Sequence, residues 1–263
     1  MMPVWDQNIL IAGDSGRRNA GEQILSEIVR MPKESRELVI VDLKEGELAR
    51  WAKCANAYAG NMGEAEQVLW CVANQAARRF QEDRDALVND FVWVPDTSNR
   101  KQIFVYLNDL EALTRPLSNE EEEQRERAFA LFEKILYRGH GLIVPLIAES
   151  SDVTKLERRI AIQFREHILG YANTPMTVAK MFGGHDNPVD WGCDPARLKD
   201  NWVIVDYLPK RGGRPFSRVR IPDGSNLDAV SSDPRYFVPE DARIPLEPLD
   251  GHGDPRDVCL WES

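Results

Sequence analysis

Residues Asn8–Ala20 have the sequence NILIAGDSGRRNA, and this stretch decides the fold. The apolar run Asn8–Gly13 ends in a glycine, as a buried strand does where it enters a loop. Apolar residues then recur at helical spacing at Ala20, Ile24, Leu25, Ile28 and Val29. The stretch therefore predicts a strand, a short glycine-containing loop and a helix.

Short apolar runs and helical stripes alternate along the rest of the chain. Further strands are predicted at Leu38–Asp42, Ile103–Leu107, Gly141–Ala148, His167–Tyr171, Trp202–Leu208 and Phe216–Ile221. Helices are predicted at Glu64–Phe80, from Ser118 onward, at Val153–Phe164 and between Pro175 and Gly183. Pro145 predicts a bulge or a sheet edge. This alternation predicts the α/β class, with a mostly parallel sheet covered on both faces and a C-terminal β-hairpin.

The loop after the first strand can be compared with a P-loop, whose pattern is G-x-x-x-x-G-K-[ST]. In that motif, backbone amides and the lysine bind phosphates, and the hydroxyl holds magnesium. The eight positions are occupied here by Gly13, Asp14, Ser15, Gly16, Arg17, Arg18, Asn19 and Ala20. Arg18 replaces the second glycine, Asn19 the lysine and Ala20 the hydroxyl. The loop therefore lacks the phosphate-binding and magnesium-binding side chains.

Several motifs give the chain a family resemblance over roughly residues 5 to 221. Gly13–Gly16, Val41–Leu48, Ala77–Phe80 and the closing hairpin Val203–Ile221 resemble motifs of the FtsK/SpoIIIE family of DNA-pumping motors. The transfer proteins of actinobacterial conjugative elements are the most similar in appearance. The resemblance implies a RecA-like P-loop core over residues 1–221, followed by a C-terminal tail rich in proline, glycine and aspartate at 222–263.

The resemblance also places the second nucleotide motif, Walker B, at the end of strand Ile103–Leu107. The family has an Asp-Glu pair there, which holds magnesium and activates water. This chain has Asn108 and Asp109 instead. After the next strand, where the family has a polar sensing residue, the chain has Glu149 and Ser150. We therefore expect no catalytic residues, no cofactor and at most weak binding of ATP and magnesium.

Three interpretations of this degenerate site remain open. In the first, the domain is a pseudo-ATPase. In the second, Arg17 or Arg18 supplies the missing positive charge and Asp109 with Glu111 holds a metal, so that the domain is a divergent translocase that still hydrolyses ATP. In the third, the chain is an unrelated α/β domain with accidental similarity.

The resemblance also implies partners, because family motors work as rings. The chain is then expected to be a non-hydrolysing subunit or adaptor of a DNA-translocation or conjugative-transfer machine, beside an active FtsK-like subunit. The alternative is an inactive ATPase module of a type VII secretion-like motor, which docks a peptide or neighbouring domains.

A basic cluster contrasts with the formal net charge of -10. Its five cations are Lys210, Arg211, Arg214, Arg218 and Arg220. They predict either a contact with nucleic acid or an acidic partner, or a hairpin whose arginines face water. Because the chain as a whole is acidic, we expect any DNA binding to be weak.

The remaining composition predicts a cytoplasmic protein with no metal site and no membrane insertion. Its four cysteines are far apart and form no C-x-x-C pair, which suits a reducing compartment. Its four histidines show no ligand-like spacing. No apolar run approaches the ~18 residues needed to span a bilayer.

Overall fold

The computed structural model describes residues 7–44, 46–87, 100–115, 119–139, 144–182, 187–206 and 215–246 of the chain. Its strands are β1 (Ile9–Ala12), β2 (Arg36–Asp42), β3 (Ala57–Ala59), β4 (Gln102–Asn108), β5 (Leu146–Ser150), β6 (Glu166–Leu169), β7 (Trp202–Asp206) and β8 (Phe216–Arg220). Within the described residues they form an eight-stranded sheet in the order β3-β2-β4-β5-β1-β6-β7-β8. The strands from β3 to β6 in this order pair in parallel, whereas β7 and β8 are antiparallel.

Helices cover both faces of this sheet. They are α1 (Arg17–Arg30), α2 (Met62–Leu87), α3 (Leu110–Thr114), α4 (Asn119–Arg138), α5 (Arg158–Ala161), α6 (Pro175–Phe182) and α7 (Leu227–Ser231). One apolar core lies under α2 and α4, and the other lies under α1 and α7. Every residue of β1 is buried, because a parallel strand covered on both faces needs a continuous apolar run. The predicted α/β class and mostly parallel sheet are confirmed.

Pro145 does not mark a bulge or an edge, as the sequence predicted. It lies directly before β5, which runs in the centre of the sheet between β4 and β1. Its carbonyl accepts a hydrogen bond from the backbone N–H of Val105 at 3.1 Å. Since proline lacks only its own N–H, the strand can begin at the following residue.

The predicted helix Val153–Phe164 is wrong as a continuous element. The structure has a 3-10 helix at Val153–Lys155 and then the short α5. Asp152 caps the 3-10 turn, because its side chain accepts a hydrogen bond from the backbone N–H of Thr154 at 3.3 Å. Four apolar residues of this segment are nevertheless buried in the core under α2 and α4, namely Val153, Leu156, Ile160 and Phe164. Ile162 is exposed.

The sheet brings three predicted site segments to one edge. In a parallel sheet the carboxyl ends of neighbouring strands meet at the same edge. Ala12 at the end of β1 is paired with Ser150 at the end of β5. Leu107, one residue before the end of β4, is paired with Ala148. The loop after β1 therefore lies next to Glu149 and Ser150 and near Asn108.

The described part of the segment after β8 packs on the domain. Leu227 and Val230 of α7 are buried in the same core as α1. Farther along, the backbone N–H of Val238 donates to the carbonyl of Lys53 at 2.9 Å. The backbone N–H of Ile244 donates to the carbonyl of Asn56 at 2.8 Å. No helix among the described residues combines the length and apolar character needed to cross a membrane.

Candidate functional site

The loop between β1 and α1 is short, and both of its glycines have positive φ angles. It comprises residues 13–16, and α1 begins at Arg17. Gly13 has φ 125° and Gly16 has φ 79°, and glycine adopts both values without strain. The last four of the eight motif positions, 17–20, therefore lie within the helix.

The loop is hydrogen-bonded to the segment that follows β6. The backbone N–H of Asp14 donates to the carbonyl of Tyr171 at 2.7 Å, and the N–H of Tyr171 donates to the carbonyl of Ser15 at 3.1 Å. Gly170 makes this close approach possible, because a Cβ there would overlap the Ser15 carbonyl. One backbone N–H of the loop is therefore already used, and a phosphate could reach it only by breaking this bridge.

Arg17 points into the protein and pairs with a buried carboxylate. Its Nε lies 3.3 Å from Oε2 of Glu149, whose side chain is 3% exposed. The hydroxyl of Tyr106 donates a hydrogen bond to the same carboxylate. Burial raises the pKa of Glu149 to about 7, although the Tyr106 hydrogen bond and the Arg17 charge oppose the rise. The positive charge of Arg17 is therefore paired with the Glu149 carboxylate inside the protein.

Space for this pair comes from Gly21 in α1. A Cβ at this position would overlap both the Tyr106 hydroxyl and the Glu149 carboxylate. Gly21 therefore lets the helix lie directly over the two side chains. The sequence alone did not indicate that Gly21, Tyr106 and Glu149 lie together, because they come from α1, β4 and β5.

The remaining side chains of the motif are also engaged. Arg18 is half exposed and pairs with Glu22 at 3.3 Å and Glu47 at 3.9 Å. Asn19, at the lysine position, donates from Nδ2 to Oδ1 of Asn201 at 2.8 Å. Ala20, at the hydroxyl position, is fully buried. Four of the eight motif residues therefore lie in the loop and four in α1, where the side chains of Arg17 and Arg18 face carboxylates and that of Asn19 faces an amide.

The Walker B position is occupied by an amide that binds inside the sheet. Nδ2 of Asn108 donates to Oδ1 of Asp42 at 3.0 Å, and β2 and β4 pair these two residues directly. The fully buried Asp42 also accepts hydrogen bonds from the Tyr58 hydroxyl at 2.8 Å and from the Leu48 N–H at 2.7 Å. Asp42 therefore anchors the loop after β2. Asn108 donates one of the hydrogen bonds that this buried carboxylate accepts.

Asp109 and Glu111 lie close together at the end of β4, and each carboxyl group shifts the pKa of the other. Asp109 has φ 67°, in the left-handed region. Burial, together with the hydrogen bond and the charge of Glu111, raises the pKa of Asp109 to about 6. Burial opposes ionisation of Glu111 as well, but hydrogen bonds from Asp109, Ser150 and the Asp152 N–H lower its pKa. Below about pH 6 the pair therefore holds one proton on Asp109, with Glu111 as the charged partner.

This arrangement brings together the two carboxyl groups that a metal-binding interpretation needs. However, the described residues contain no group of three or more histidine, cysteine, aspartate or glutamate side chains that could hold a metal ion. Glu111 accepts hydrogen bonds from Ser150 Oγ and from the Asp152 N–H. Its interactions are therefore largely within the protein.

The basic hairpin is described only in part. Lys210, Arg211 and Arg214 lie outside the described residues. Arg218 and Arg220 are exposed, two residues apart on β8, and therefore on the same face of the sheet. The alternation predicted for this strand is confirmed, while a contact with nucleic acid or a partner stays a prediction.

Comparisons with known proteins were made for both sequence and structure. No family model and no curated protein matches the sequence. The structure is similar to the conjugation coupling protein TcpA of pCW3, solved in its monomer form with ATPγS. The TM-score is 0.65 at 14% identity, covering 82% of this chain and 60% of TcpA. The fold is that of the RecA-like P-loop ATPases.

Type VII secretion ATPases share this RecA-like fold. ATPases 2 and 3 of EssC from Geobacillus thermodenitrificans match with a TM-score of 0.59 and 14% identity, over 88% of this chain and 44% of theirs. ATPases 2 and 3 of Thermomonospora curvata EccC, in complex with a signal sequence peptide, match with a TM-score of 0.58 and 11% identity, over 92% and 44%. The chain thus spans less than two thirds of each. At these identities the likeness establishes the fold.

Proposed function

We propose that this chain is a pseudo-ATPase, a RecA-like module that acts as a non-hydrolysing subunit or adaptor of a DNA-translocation or conjugative-transfer machine. We refer to residues 13–16 as the closed loop, because Asp14 and Ser15 are hydrogen-bonded to Tyr171. This closed loop is the observation that carries the proposal. TcpA is a conjugation coupling protein, which supports a role in such a machine.

Electrostatics supports the same conclusion. A nucleotide triphosphate needs positive charge and a metal ion to balance its phosphates. Arg17 is paired with Glu149, and Arg18 with Glu22 and Glu47. A bound phosphate would therefore lie beside carboxylates and would have to compete for these arginines. Each missing charge-stabilising contact typically removes about 3 kcal/mol of transition-state stabilisation.

Calorimetric titration of the whole chain with ATP, with and without magnesium, tests the proposal. We expect a dissociation constant no tighter than about 1 mM, a free energy of roughly -4 kcal/mol. The matched control is TcpA, whose monomer form has been solved with ATPγS. A micromolar, magnesium-dependent constant for this chain would contradict the proposal.

The proposed partner is an active FtsK-like subunit or another protein of the same machine. A domain that keeps the RecA-like shape but not the chemistry can still offer its flanks to neighbours in a ring. The net charge of -10 makes copies of this chain repel one another and favours a basic partner. In this arrangement the chain itself contacts DNA only weakly.

A second candidate function is a type VII secretion-like module that docks a peptide. The observation that favours it is a cavity of about 350 Å³ beside the closed loop, lined mainly by Ala172, Pro175, Val178, Val189 and Pro195. EccC is the neighbour solved with a signal sequence peptide. Copurification with a helical secreted peptide, rather than with DNA or a transfer ATPase, would favour this function over the adaptor.

A third candidate function is a divergent ATPase that uses Asp109 and Glu111. Rebuilding the loop between β1 and α1 as a P-loop tests this candidate.

A further inference from the structure

The segment that follows β8 crosses the domain as a strap. We use this name for residues 222–246, which contain α7 and several 3-10 turns. Leu227 and Val230 of α7 are buried in the core under α1, whereas Ile244 packs against the core under α2 and α4. Because these cores lie on opposite faces of the sheet, the strap passes around the β3 edge. There the backbone N–H of Ile244 donates to the carbonyl of Asn56 at 2.8 Å.

The strap covers an apolar groove of the domain. Its helix α7 packs against both α1 and the 3-10 helix Ala49–Cys54, and we call the surface between these two helices the α1 groove. Trp51 and Cys54 are fully buried there, in the same core as α7. Sγ of Cys54 donates to the carbonyl of Ser231 at 3.7 Å. Apolar surface of the domain therefore becomes accessible to a partner when the strap moves away.

Charges fasten the strap to the domain. Arg50, at the rim of the α1 groove, pairs with Asp228 of α7 and with Glu22 of α1. Nζ of Lys33 donates to the carbonyl of Phe237 at 2.7 Å. The strap itself is acidic, with five carboxylates against two arginines. Because Asp228 is 82% exposed, salt screens its ion pair with Arg50 and should loosen the strap.

The strap is held by few buried side chains for its length. Its buried apolar residues are Leu227, Val230 and Val238. Nε1 of Trp51 and Nε of Arg50 are buried in the α1 groove without a hydrogen-bond partner among the described residues, so α7 leaves two donors uncompensated. Ordering a long segment costs conformational entropy, and a segment with few buried apolar contacts opens more readily than a core sheet. We therefore expect the strap to open while the sheet stays folded.

We propose that the strap is an autoinhibitory segment, which a partner protein displaces by inserting an acidic amphipathic helix into the α1 groove. The occupant that the groove already holds indicates this chemistry. α7 places Leu227 and Val230 three residues apart, and therefore on one face of the helix, with Asp228 beside them for Arg50. Helices with apolar anchors at this spacing commonly bind in grooves of partner proteins. This inference goes beyond the pseudo-ATPase function, because it concerns protein docking and is independent of nucleotide.

Alkylation of the full chain with N-ethylmaleimide, followed by mass spectrometry of its cysteine peptides, tests the proposal. Cys54 is fully buried beneath α7, so the rate at which it is labelled reports opening of the strap. Asp228→Asn removes the ion pair with Arg50 and should raise this rate about three-fold, the effect of a partly exposed pair. High salt should raise the rate in the unaltered chain but not in this variant. Cys193 is buried in the other core and should keep its rate throughout.

A control variant and a peptide complete the experiment. Asp241→Asn removes the same charge from an exposed position of the strap, whereas Arg50 pairs with Asp228, so this variant should be labelled like the unaltered chain. A synthetic peptide of residues 222–246 stands in for the partner segment. Added in excess to the Asp228→Asn variant, it should occupy the α1 groove and return the labelling of Cys54 toward the rate of the unaltered chain. A peptide of the same composition in scrambled order should not.

Three results would overturn the proposal. One is an equal labelling rate of Cys54 in the unaltered chain and the Asp228→Asn variant, or no protection of Cys54 by the peptide. Another is a parallel rise at Cys54 and Cys193, because it would mean that the whole domain opens. The third is a dimer of the Asp228→Asn variant in which Cys54 stays protected, which would assign the groove to the strap of a second copy. None of these results depends on ATP binding, so failure here is distinguishable from failure of the pseudo-ATPase proposal.

Discussion

Asn108 on β4 donates a hydrogen bond to Asp42 on the neighbouring strand β2, at 3.0 Å. Both side chains are buried, at 2% and 0% exposure. An aspartate at position 108, as the metal-binding motif requires, would put two carboxylates at this distance. Asparagine at position 108 is therefore compatible with the buried Asp42 that anchors the loop after β2, whereas the aspartate of the motif is not.

We predict that Asn108→Asp destabilises the protein by about 3 kcal/mol at pH 8, because it leaves a buried carboxylate pair without a proton. The loss should shrink toward pH 5. Repulsion raises the folded-state pKa of one carboxyl above its unfolded value, so the penalty grows as the pH rises through that folded pKa. Urea unfolding at both pH values measures the difference.

The matched control for this prediction exchanges the two residues. Asp42→Asn together with Asn108→Asp restores one amide and one carboxylate and should recover part of the lost stability. A double-mutant cycle gives the coupling free energy directly. Independent, additive effects of the two changes would show that the hydrogen bond is not what selects asparagine at position 108.

The buried pair formed by Arg17 and Glu149 predicts a pH dependence of stability. The folded pKa of Glu149 is about 7, above its ordinary value of 4.5. A carboxyl group with a raised folded pKa binds its proton more tightly when folded, so its contribution to stability falls as pH rises from about 4.5 to 7. We expect Glu149→Gln to remove this decline, so that its stability relative to the unaltered protein increases by about 3 kcal/mol between these pH values.

Tyr106→Phe is the matched control for this pH dependence. It removes the hydrogen bond that favours the ionised form of Glu149, so the pKa of Glu149 should rise further. The decline in stability should then still begin near pH 4.5 but extend to higher pH. If the curves of the unaltered protein and the glutamine variant were parallel from pH 4.5 to 7, the pKa of Glu149 in the folded protein would not be raised above its ordinary value.

Rebuilding the first motif alone should not create an ATPase. Arg18→Gly, Asn19→Lys and Ala20→Ser restore the side chains of a P-loop, but Asn108 still occupies the metal-ligand position. The change Asn19→Lys would also remove the hydrogen bond between Asn19 and Asn201. We expect no phosphate release above background in a coupled assay, with folding checked by thermal unfolding. Turnover by the triple variant would mean that Asp109 and Glu111 can hold the metal, as the divergent-ATPase interpretation requires.

The central part of the fold was predictable because its signals are local. β1 and β4 are continuous apolar runs, and α1 carries its apolar residues at helical spacing. β3 was missed, since it comprises only Ala57–Ala59, and alanine has little preference for strands. Its position is set by pairing with β2.

The replaced side chains of the site were visible in the sequence, but their new partners were not. Asn19 contacts Asn201, which is 182 residues away in the chain. The bridge between Ser15 and Tyr171 also depends on long-range packing. Gly170, a glycine inside the predicted strand His167–Tyr171, was the one local signal of a close backbone approach. Such contacts follow from strand order, which apolar periodicity does not encode.

The adaptor function predicts how the chain associates. At net charge -10, copies of the isolated chain repel one another, most strongly at low salt, whereas a basic surface on a transfer ATPase attracts it. We expect sedimentation velocity to show a monomer or weak self-association at micromolar concentration, and a complex when an active FtsK-like subunit is added. That complex should weaken as salt increases.

The control is a mixture with an unrelated acidic protein of similar size, which should leave the sedimentation of the chain unchanged. A stable homohexamer that binds duplex DNA tightly at physiological salt would contradict the adaptor function, because such a ring would need no active partner to hold DNA.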